Sequence, residues 1–274
     1  MNRAAAFVKA AHPGPSLAVT AVGTALAAAA GAHVSTCVLL AGALLTGQLS
    51  IGWCNDATDR ARDIAAGRRD KPVALGVLTS RTVGLAAVLA LVACIPLSLA
   101  LGAPAGVVHL VAVGGGWSYD LRLKRTVGSF AAFAVSFGLL PSVATLALPH
   151  PVTAPWWATA AGALLGVVAH LANALPDLED DVAAGVLGLP QLLGPARTRL
   201  TAGVLLALAA LVLTVGPGVR PGLAGWALLL VTAVTLVLAF GRRWPDRSRA
   251  PFALTVVAAL AVVGLLLVRG ASLA

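Results

Sequence analysis

Two short stretches of the chain repeat the same spacing of amide and carboxylate side chains. NDATDRARDIAAG occupies residues 55–67 and NALPDLEDDVAAG occupies residues 173–185, and both follow N-x-x-x-D-x-x-x-D-[IV]-A-A-G. Of the ten Asp and Glu residues in the chain, those in or near the two stretches are Asp56, Asp59, Asp63, Asp70, Asp177, Glu179, Asp180 and Asp181. Such clustering in a chain of which only 11% is charged predicts a site that binds cations.

Helical geometry gathers these side chains, because residues four apart on a helix lie on the same face. The two columns that result are Asn55, Asp59 and Asp63, and Asn173, Asp177 and Asp181. Asp56 and Asp180 lie beside the columns and can reach the same opening. Converging carboxylates repel one another unless positive charge lies between them. The oxygen-rich set suits Mg²⁺, which usually shares its ligands with substrate phosphates.

Two alternatives concern the individual charges. Each acidic stretch taken alone is also typical of a solvated loop, but two copies that begin at the ends of apolar segments favour a functional site. Lys71, Lys124, and Arg68 or Arg125 are candidates to bind phosphate oxygens. For each of these basic residues, retention of positive charge on the cytoplasmic side of a membrane is an equally good explanation.

The elements that must position these residues are membrane-spanning helices. The chain is 59% hydrophobic with a mean hydropathy of +0.94, which is outside the range of soluble domains. Nine apolar segments are near the length that a transmembrane helix requires, about 15–33, 35–54, 82–101, 105–120, 128–148, 155–175, 199–216, 222–241 and 251–269. We therefore expect an all-α, polytopic bundle of nine helices that forms a single membrane-embedded domain over residues 1–274.

The distribution of Lys and Arg predicts the orientation. With the N-terminus in the cytoplasm, 17 of the 19 basic residues fall on the cytoplasmic side, and only Arg220 and Arg269 fall outside. This arrangement predicts a multi-pass protein of the plasma membrane with both acidic stretches at its cytoplasmic face. It also explains the net charge of +9 without a nucleic-acid partner, and no obligate protein partner is inferred.

The acidic stretches and the segments near them resemble the UbiA superfamily of intramembrane prenyltransferases. Asn55-Asp56-x-x-Asp59-x-x-x-Asp63 resembles the first family signature, and Asp177-x-x-x-Asp181 resembles the second. Lys71-Pro72-Val73 stands where the family usually has Arg-Pro-Leu. Tyr119 to Lys124, YDLRLK, resembles a family Tyr-x-x-x-Lys segment with one residue more between the two.

The resemblance implies nine helices around a cavity that opens sideways to lipid, with two Mg²⁺ ions binding the diphosphate of an isoprenyl diphosphate. Asn55 and Asp59 would hold one ion, and Asp177 and Asp181 the other. Asp56 and Asp63 would be supporting ligands or orient basic residues. Tyr119 and Lys124 would be catalytic, and the diphosphate would bind Lys71, Arg68 and Lys124.

Ionising an allylic diphosphate leaves a carbocation that must be shielded from water and stabilised by aromatic rings. The candidates for this role are Phe130, Phe133, Phe137, Trp53, Trp117 and Tyr119. Phe130, Phe133 and Phe137 follow helical spacing, but ordinary contact with lipid or other helices explains their positions at least as well.

The fate of the carbocation stays open. Transfer to a lipophilic acceptor is favoured. Members of the family that use a carboxylated acceptor carry a basic group to hold it, whereas spans 128–148 and 155–175 contain no Lys or Arg, which favours a neutral quinol-type or phenolic acceptor, or no acceptor at all. The alternative is a terpene cyclase of the same superfamily that acts on a substrate such as farnesyl diphosphate, with Gln48, Ser50, Ser118, His170 and Asn173 as candidate polar groups. A non-catalytic lipid-binding transporter ranks a distant third. Such a transporter would predict inverted repeats, whereas the two acidic stretches are expected at the same membrane face and in the same orientation.

Overall fold

The protein is described by a computed structural model, which covers residues 2–68, 71–183, 185–218, 220–240 and 250–274. This part of the chain is α-helical and contains no β-strand. Its α-helices are α1 (Arg3–Ala10), α2 (Pro13–Ala29), α3 (Val34–Thr58), α4 (Arg60–Ala65), α5 (Ser80–Ala100), α6 (Ala103–Leu121), α7 (Ser129–Leu146), α8 (Trp156–Ala174), α9 (Leu178–Ala183), α10 (Leu189–Val215), α11 (Leu223–Phe240) and α12 (Ala250–Val268). The predicted all-α class is confirmed for the described residues.

The long helices coincide with the predicted apolar segments. Within the described residues, five stretches are long and apolar enough to cross a membrane, Val34–Thr58, Ser80–Ala100, Ser129–Leu146, Trp156–Asp177 and Leu189–Val215. Three shorter apolar helices are Pro13–Ala29, Leu223–Ala239 and Leu254–Val268. Helix α6 overlaps the remaining predicted segment. The count of nine spans and the orientation of the N-terminus stay predictions, and residues 242–249 lie outside the described part.

Helix packing relies on small residues, as is usual for helices in membranes. Helix α7 contacts α8 where Gly166 faces the backbone carbonyl of Phe133, so closely that any side chain at residue 166 would collide with it. Helix α10 also packs against α8. The central core between the helices contains the buried side chains of Leu44, Leu171 and Leu206. This close packing fixes the position of Phe133 on α7.

Helix α10 begins about ten residues earlier than the predicted span at 199–216. It starts at Leu189 and contains a break at Gly194, where φ is 74° and ψ is 168°. The positive φ suits glycine, because a Cβ atom would make this conformation costly. The break is followed by Pro195, which has no N–H to donate to the preceding turn. The run GLPQLLG, residues 188–194, thus forms a short helical segment next to the second acidic stretch.

The N-terminal helix α1 was not predicted, and it packs against α3. The rings of Phe7 and Trp53 are perpendicular with centroids 6.3 Å apart, and Trp53 Nε1 donates a hydrogen bond to the Phe7 carbonyl at 3.0 Å. At the turn into α2, the Ala11 carbonyl lies directly against Gly52, where any side chain would collide with it. This corner places His12 beside the first acidic stretch.

Candidate active site

The first acidic stretch forms the predicted column at the end of α3. Asp59 lies between α3 and α4, yet the helical hydrogen bonds continue across the junction, from Asp59 N to Asn55 O at 3.0 Å and from Asp63 N to Asp59 O at 2.8 Å. Asn55, Asp59 and Asp63 therefore follow one another at helical spacing. The side chains of Asp56, Asp59 and Asp63 are all buried.

The second acidic stretch begins at the end of α8. Asp177 ends a 3₁₀ helix, Leu175–Asp177, and Asp181 lies on α9, where its Oδ2 accepts a hydrogen bond from Gln191 Nε2 at 2.9 Å. Asn173 is exposed but lines the cavity described below. The side chain of Asp180 lies outside those that the structure describes. Tightening of the helix at Leu175–Asp177 separates the predicted column into two short segments.

Arginine side chains join the two stretches. Arg62 contacts Asp59 Oδ2 at 2.6 Å and Asp181 Oδ1 at 3.2 Å, so that it bridges the first and second stretches. Arg68 Nη1 contacts Asp177 Oδ2 at 2.6 Å. The structure thus brings carboxylates from both halves of the chain to one site. Arg62 was not among the predicted site residues, since its contact with Asp181 depends on the tertiary fold.

Two lysines that were predicted to bind phosphate lie in the same site. Lys71 Nζ is 3.2 Å from Asp56 Oδ1 and 3.0 Å from His12 Nε2. Lys124 is buried and forms an ion pair with Asp59. By contrast, Arg125 is exposed. Each lysine therefore forms an ion pair with a buried carboxylate of the first stretch.

The extra residue between Tyr119 and Lys124 is accommodated by a change of helix type. Helix α6 ends at Leu121, Arg122 has a non-helical φ of −145°, and a 3₁₀ helix follows at Leu123–Arg125. After this break Lys124 reaches Asp59, while Tyr119 lines the cavity. The predicted pair of residues is thus brought to the same end of the molecule.

Asp120 belongs to this site and was missed by the sequence analysis. Its side chain is only 2% exposed, and its Oδ1 accepts a hydrogen bond from Asn55 Nδ2 at 2.8 Å. Its Oδ2 has no hydrogen-bond partner among the described residues. A carboxylate enclosed in this way is costly unless a cation compensates it. The available signal was a lone acid inside an apolar segment, adjacent to Tyr119.

A cavity of about 310 Å³ extends from the acidic residues between helices α2, α3, α6, α7 and α8. Among its lining residues are the aromatic side chains Tyr119, Phe133 and Phe137. The Tyr119 ring is perpendicular to Phe133 at 5.0 Å and to His170 at 5.6 Å between centroids. These rings give the cavity an aromatic wall below the acidic residues.

The other aromatic candidates lie elsewhere. Phe130 is 37% exposed and does not line the cavity within the described residues. Trp53 contacts α1, and Trp117 Nε1 donates a hydrogen bond to Ser50 Oγ at 3.1 Å. Only part of the predicted aromatic set therefore faces the cavity in the described structure.

Burial dominates the electrostatics of two carboxylates outside the spans, those of Asp63 and Asp181. It raises the pKa of the Asp63 carboxyl above its ordinary value, and Lys71 opposes this rise. It also raises the pKa of the Asp181 carboxyl, where Arg62 acts in the opposite direction. Desolvation disfavours the charged form of each acid, so the site favours ligands that bring positive charge.

The chemistry of the donors fits Mg²⁺. The site offers carboxylate oxygens and one amide, which are the ligands that this ion prefers. The Oδ2 atom of Asp120 is buried without a hydrogen-bond partner among the described residues, and the buried Asp56 carboxylate has Lys71 as its neighbouring positive charge. In the part of the chain that is described, no three His, Cys, Asp or Glu side chains are already arranged as ligands, because Arg and Lys hold the carboxylates instead.

Comparisons with known proteins agree with this architecture. A sequence profile of the UbiA prenyltransferase family matches residues 16–263. A UbiA homologue from Archaeoglobus fulgidus, solved with GPP and Mg²⁺, is 16% identical with a TM-score of 0.72, over 98% of this chain and 99% of that one. The same homologue bound to DMAPP and Mg²⁺ is 18% identical with a TM-score of 0.72, over 97% and 98% of the two chains.

A third similar structure is that of a digeranylgeranylglyceryl phosphate synthase in membranes. It is 13% identical to this chain, with a TM-score of 0.73 over the full length of both chains. At such low identity these structures establish the fold alone. No functionally curated protein matches the chain by sequence.

Proposed function

Because the chain belongs to the UbiA prenyltransferase family, we propose that it is a Mg²⁺-dependent membrane enzyme that ionises an isoprenyl diphosphate and transfers the prenyl group to a lipophilic acceptor. The observation that carries this proposal is the bridge that Arg62 forms between Asp59 and Asp181, with Asp59 one helical turn from Asn55, which lines a cavity with an aromatic wall. An anionic head group and an apolar tail match these two regions. The relatives solved with GPP or DMAPP and Mg²⁺ support this assignment.

The metal ligands would come from both acidic stretches. Asn55 and Asp59 would hold one ion, and Asp177 and Asp181 a second. Asp56 and Asp63 would complete the set or orient the basic residues. When bound, Mg²⁺ would neutralise the negative charge that develops on the departing diphosphate.

The basic residues change partners in this scheme. In the described structure, four basic side chains form ion pairs with carboxylates: Arg62, Arg68, Lys71 and Lys124. A bound diphosphate offers them strong acceptor oxygens, and Arg is suited to bidentate phosphate contacts. Positive groups already positioned at the leaving oxygen stabilise its charge as the bond to carbon breaks.

The cavity wall protects the carbocation. Tyr119, Phe133 and Phe137 present ring surfaces within the cavity, and aromatic faces attract positive charge. The surrounding helices limit access of water, which would otherwise capture the cation as an alcohol.

The charges along the cavity favour a neutral acceptor. Among the described residues that line it, Asp120 is the one acidic side chain, and no Lys or Arg is present. A carboxylated acceptor would lie unpaired near a buried carboxylate, which is unfavourable. A phenolic or quinol-type acceptor avoids this cost and finds polar partners in Ser16, Gln48 and Asn173.

Cyclisation of the prenyl chain is the second candidate, and Gln48 is the observation that favours it. Its amide lines the cavity and makes no side-chain hydrogen bond to the described residues. A polar group inside an apolar cavity can direct a water molecule to a carbocation. The same group could hold an acceptor hydroxyl, so the position of Gln48 alone does not exclude transfer.

The experiment that separates these activities uses purified protein with C10, C15 or C20 isoprenyl diphosphates and Mg²⁺, with and without phenolic acceptors. We expect prenylated acceptor in the mixtures that contain an acceptor, and no cyclic product in the mixtures that lack one. A cyclic hydrocarbon or alcohol in the mixtures without acceptor would contradict transfer and support the cyclase.

The site's location in the cell is part of the proposal. The excess of Lys and Arg near the acidic stretches supports an active site at the cytoplasmic face of the plasma membrane. Labelling of single cysteines introduced at Arg125 and at His150 in intact cells would test this orientation. We expect the cysteine at residue 150 to react with an impermeant reagent and the one at residue 125 to be protected.

A further inference from the structure

A second, smaller cavity of about 40 Å³ continues the main cavity away from the acidic residues. Five residues line both cavities and form a boundary that we call the neck: Val19, Gln48, Ile51, Ser136 and Phe137. Beyond the neck, the lining residues are mainly apolar, and His109 is held at its Nδ1 by Ser98 Oγ at 2.8 Å. Because they share these five lining residues, we treat the two cavities as adjoining parts of one channel with the neck between them.

Ile51 and Ser136 are fixed in the neck by their contacts with α6. A Cβ atom at Gly116 would lie 2.5 Å from Ile51 Cδ1, so the Ile51 side chain occupies the space that this glycine leaves. Ser136 Oγ donates a hydrogen bond to the Ala112 carbonyl at 2.7 Å. Neither side chain can withdraw from the channel without losing these contacts.

Gln48 adds a polar barrier at the same depth. An apolar chain that passed through the neck would remove water from its amide without offering a hydrogen bond, and such desolvation is unfavourable. The neck thus opposes a long prenyl tail both by the side chains held in it, Ile51 and Ser136, and by the polarity of Gln48.

The dimensions of the channel above the neck match a short tail. Asn55 and Gln48 are seven residues apart on α3, which corresponds to about 10 Å along the helix axis. An isoprene unit has four carbon atoms in its main chain, and with C–C bonds of about 1.5 Å it spans about 5 Å when extended, so about 10 Å corresponds to two units.

We propose that the neck restricts the prenyl tail to about two isoprene units, and that Ile51 determines this preference. This inference rests on the proposed function, because it assumes that the diphosphate lies among the acidic residues and the tail in the channel. It names the substrate as an isoprenyl diphosphate of the C10 class. A tail that instead left the channel sideways into lipid would be insensitive to the neck.

The test measures binding, so it does not depend on the acceptor. Geranyl, farnesyl and geranylgeranyl thiolodiphosphates, which resist ionisation, are titrated into the purified full-length protein in detergent with Mg²⁺. The variants are Ile51→Ala and Ile51→Val, which widen the neck, and Gly116→Ala, which forces Ile51 into the channel. The matched control is Val38→Ala on the same helix, whose side chain is 67% exposed.

We expect the wild-type protein to bind the C10 analogue at least tenfold more tightly than the C20 analogue. Ile51→Ala should reduce this ratio at least tenfold, Ile51→Val should reduce it less, and Val38→Ala should leave it unchanged. Gly116→Ala should weaken the binding of the C15 analogue more than the binding of the C10 analogue. If Gly116→Ala does not fold, the combination with Ile51→Ala restores the space for the added methyl group and should show the relaxed preference.

Two results would overturn the inference, and they are distinguishable. If the analogues bind but the ratios are the same in the wild-type protein and in both Ile51 variants, the neck does not select the tail and the proposed function is unaffected. If none of the analogues binds in the presence of Mg²⁺, the proposed function fails and this inference fails with it.

Discussion

Asn55 Nδ2 donates a hydrogen bond to Asp120 Oδ1 across 2.8 Å, and this bond joins the first acidic stretch to helix α6. It commits the nitrogen of the amide to Asp120, so the amide oxygen is the atom that remains for a metal ion. Partners that orient a metal ligand in this way commonly control metal affinity. Asp120 thus acts through Asn55 as a positioning residue.

Replacing Asp120 should weaken Mg²⁺ binding. Asp120→Leu removes the acceptor for Asn55, and we expect the Mg²⁺ concentration for half-maximal pyrophosphate release to rise about 10- to 100-fold. Asp120→Asn keeps an acceptor oxygen and should show a smaller rise. The measurement is a Mg²⁺ titration of pyrophosphate release at saturating substrate, and identical titrations for the wild type and Asp120→Leu would contradict the role assigned to Asp120.

The column of the first acidic stretch was predictable because it depends on local geometry. The hydrogen bonds of Asp59 N and Asp63 N continue the helical pattern through the α3–α4 junction. Residues four apart therefore still lie on the same face there. Apolar segment lengths likewise predicted where the long helices lie, since the length of a span is set by the bilayer.

The contacts between distant segments were not predictable from spacing. Arg62 is three residues from Asp59, but its second partner, Asp181, is brought near only by the packing of the bundle. No other acidic or amide side chain lies three or four residues from Asp120, so no repeated spacing marked it in the sequence. Helix α1 precedes the first apolar segment, and its position depends on the contact of Phe7 with Trp53.

Removing Arg62 should destabilise the metal-free protein and be compensated by Mg²⁺. In Arg62→Ala, Asp59 and Asp181 lose a shared cation, and we expect a loss of about 1–3 kcal/mol in the free energy of unfolding in EDTA. Mg²⁺ would supply positive charge to the same carboxylates, so the loss should shrink when it is added. The readout is the thermal midpoint in detergent with EDTA and with Mg²⁺.

The control for Arg62 is Arg60→Ala, because Arg60 is exposed on the same short helix. It should have little effect in either buffer. A destabilisation of Arg62→Ala that is equal with EDTA and with Mg²⁺ would show that Arg62 does not stand in for metal charge.

Lys124 should be required for turnover. Its buried ammonium group lies on Asp59, beside the proposed metal site, and is positioned to meet the departing diphosphate. We expect Lys124→Met to reduce kcat by about 100-fold or more, as for the loss of a positioned donor to a developing anion. Steady-state kinetics of pyrophosphate release measure the effect.

The exposed neighbour Arg125 gives the matched control for Lys124. Arg125→Met removes the same charge one residue later in the same 3₁₀ helix, and it should leave kcat nearly unchanged. Equal losses in the two variants would mean that the general positive charge of this segment, rather than the position of Lys124, matters.

Gly52→Ala should displace the N-terminal corner from the site. The added methyl group would collide with the backbone carbonyl of Ala11, and a backbone atom cannot move aside as a flexible side chain can. The corner would shift as a unit and carry His12 away from Lys71. We expect a destabilisation of about 1–3 kcal/mol, typical of overpacking, and weaker binding of the diphosphate.

Gly42→Ala on the same helix is the control, because its Cβ would contact only Leu97 Cδ1, at an ordinary 3.9 Å. Alanine favours helix over glycine by up to about 1 kcal/mol, so this variant should be as stable as the wild type or more stable. Thermal midpoints and the KM for isoprenyl diphosphate measure both effects. If Gly52→Ala matched Gly42→Ala in both measurements, the corner at Ala11 would not depend on its contact with α3.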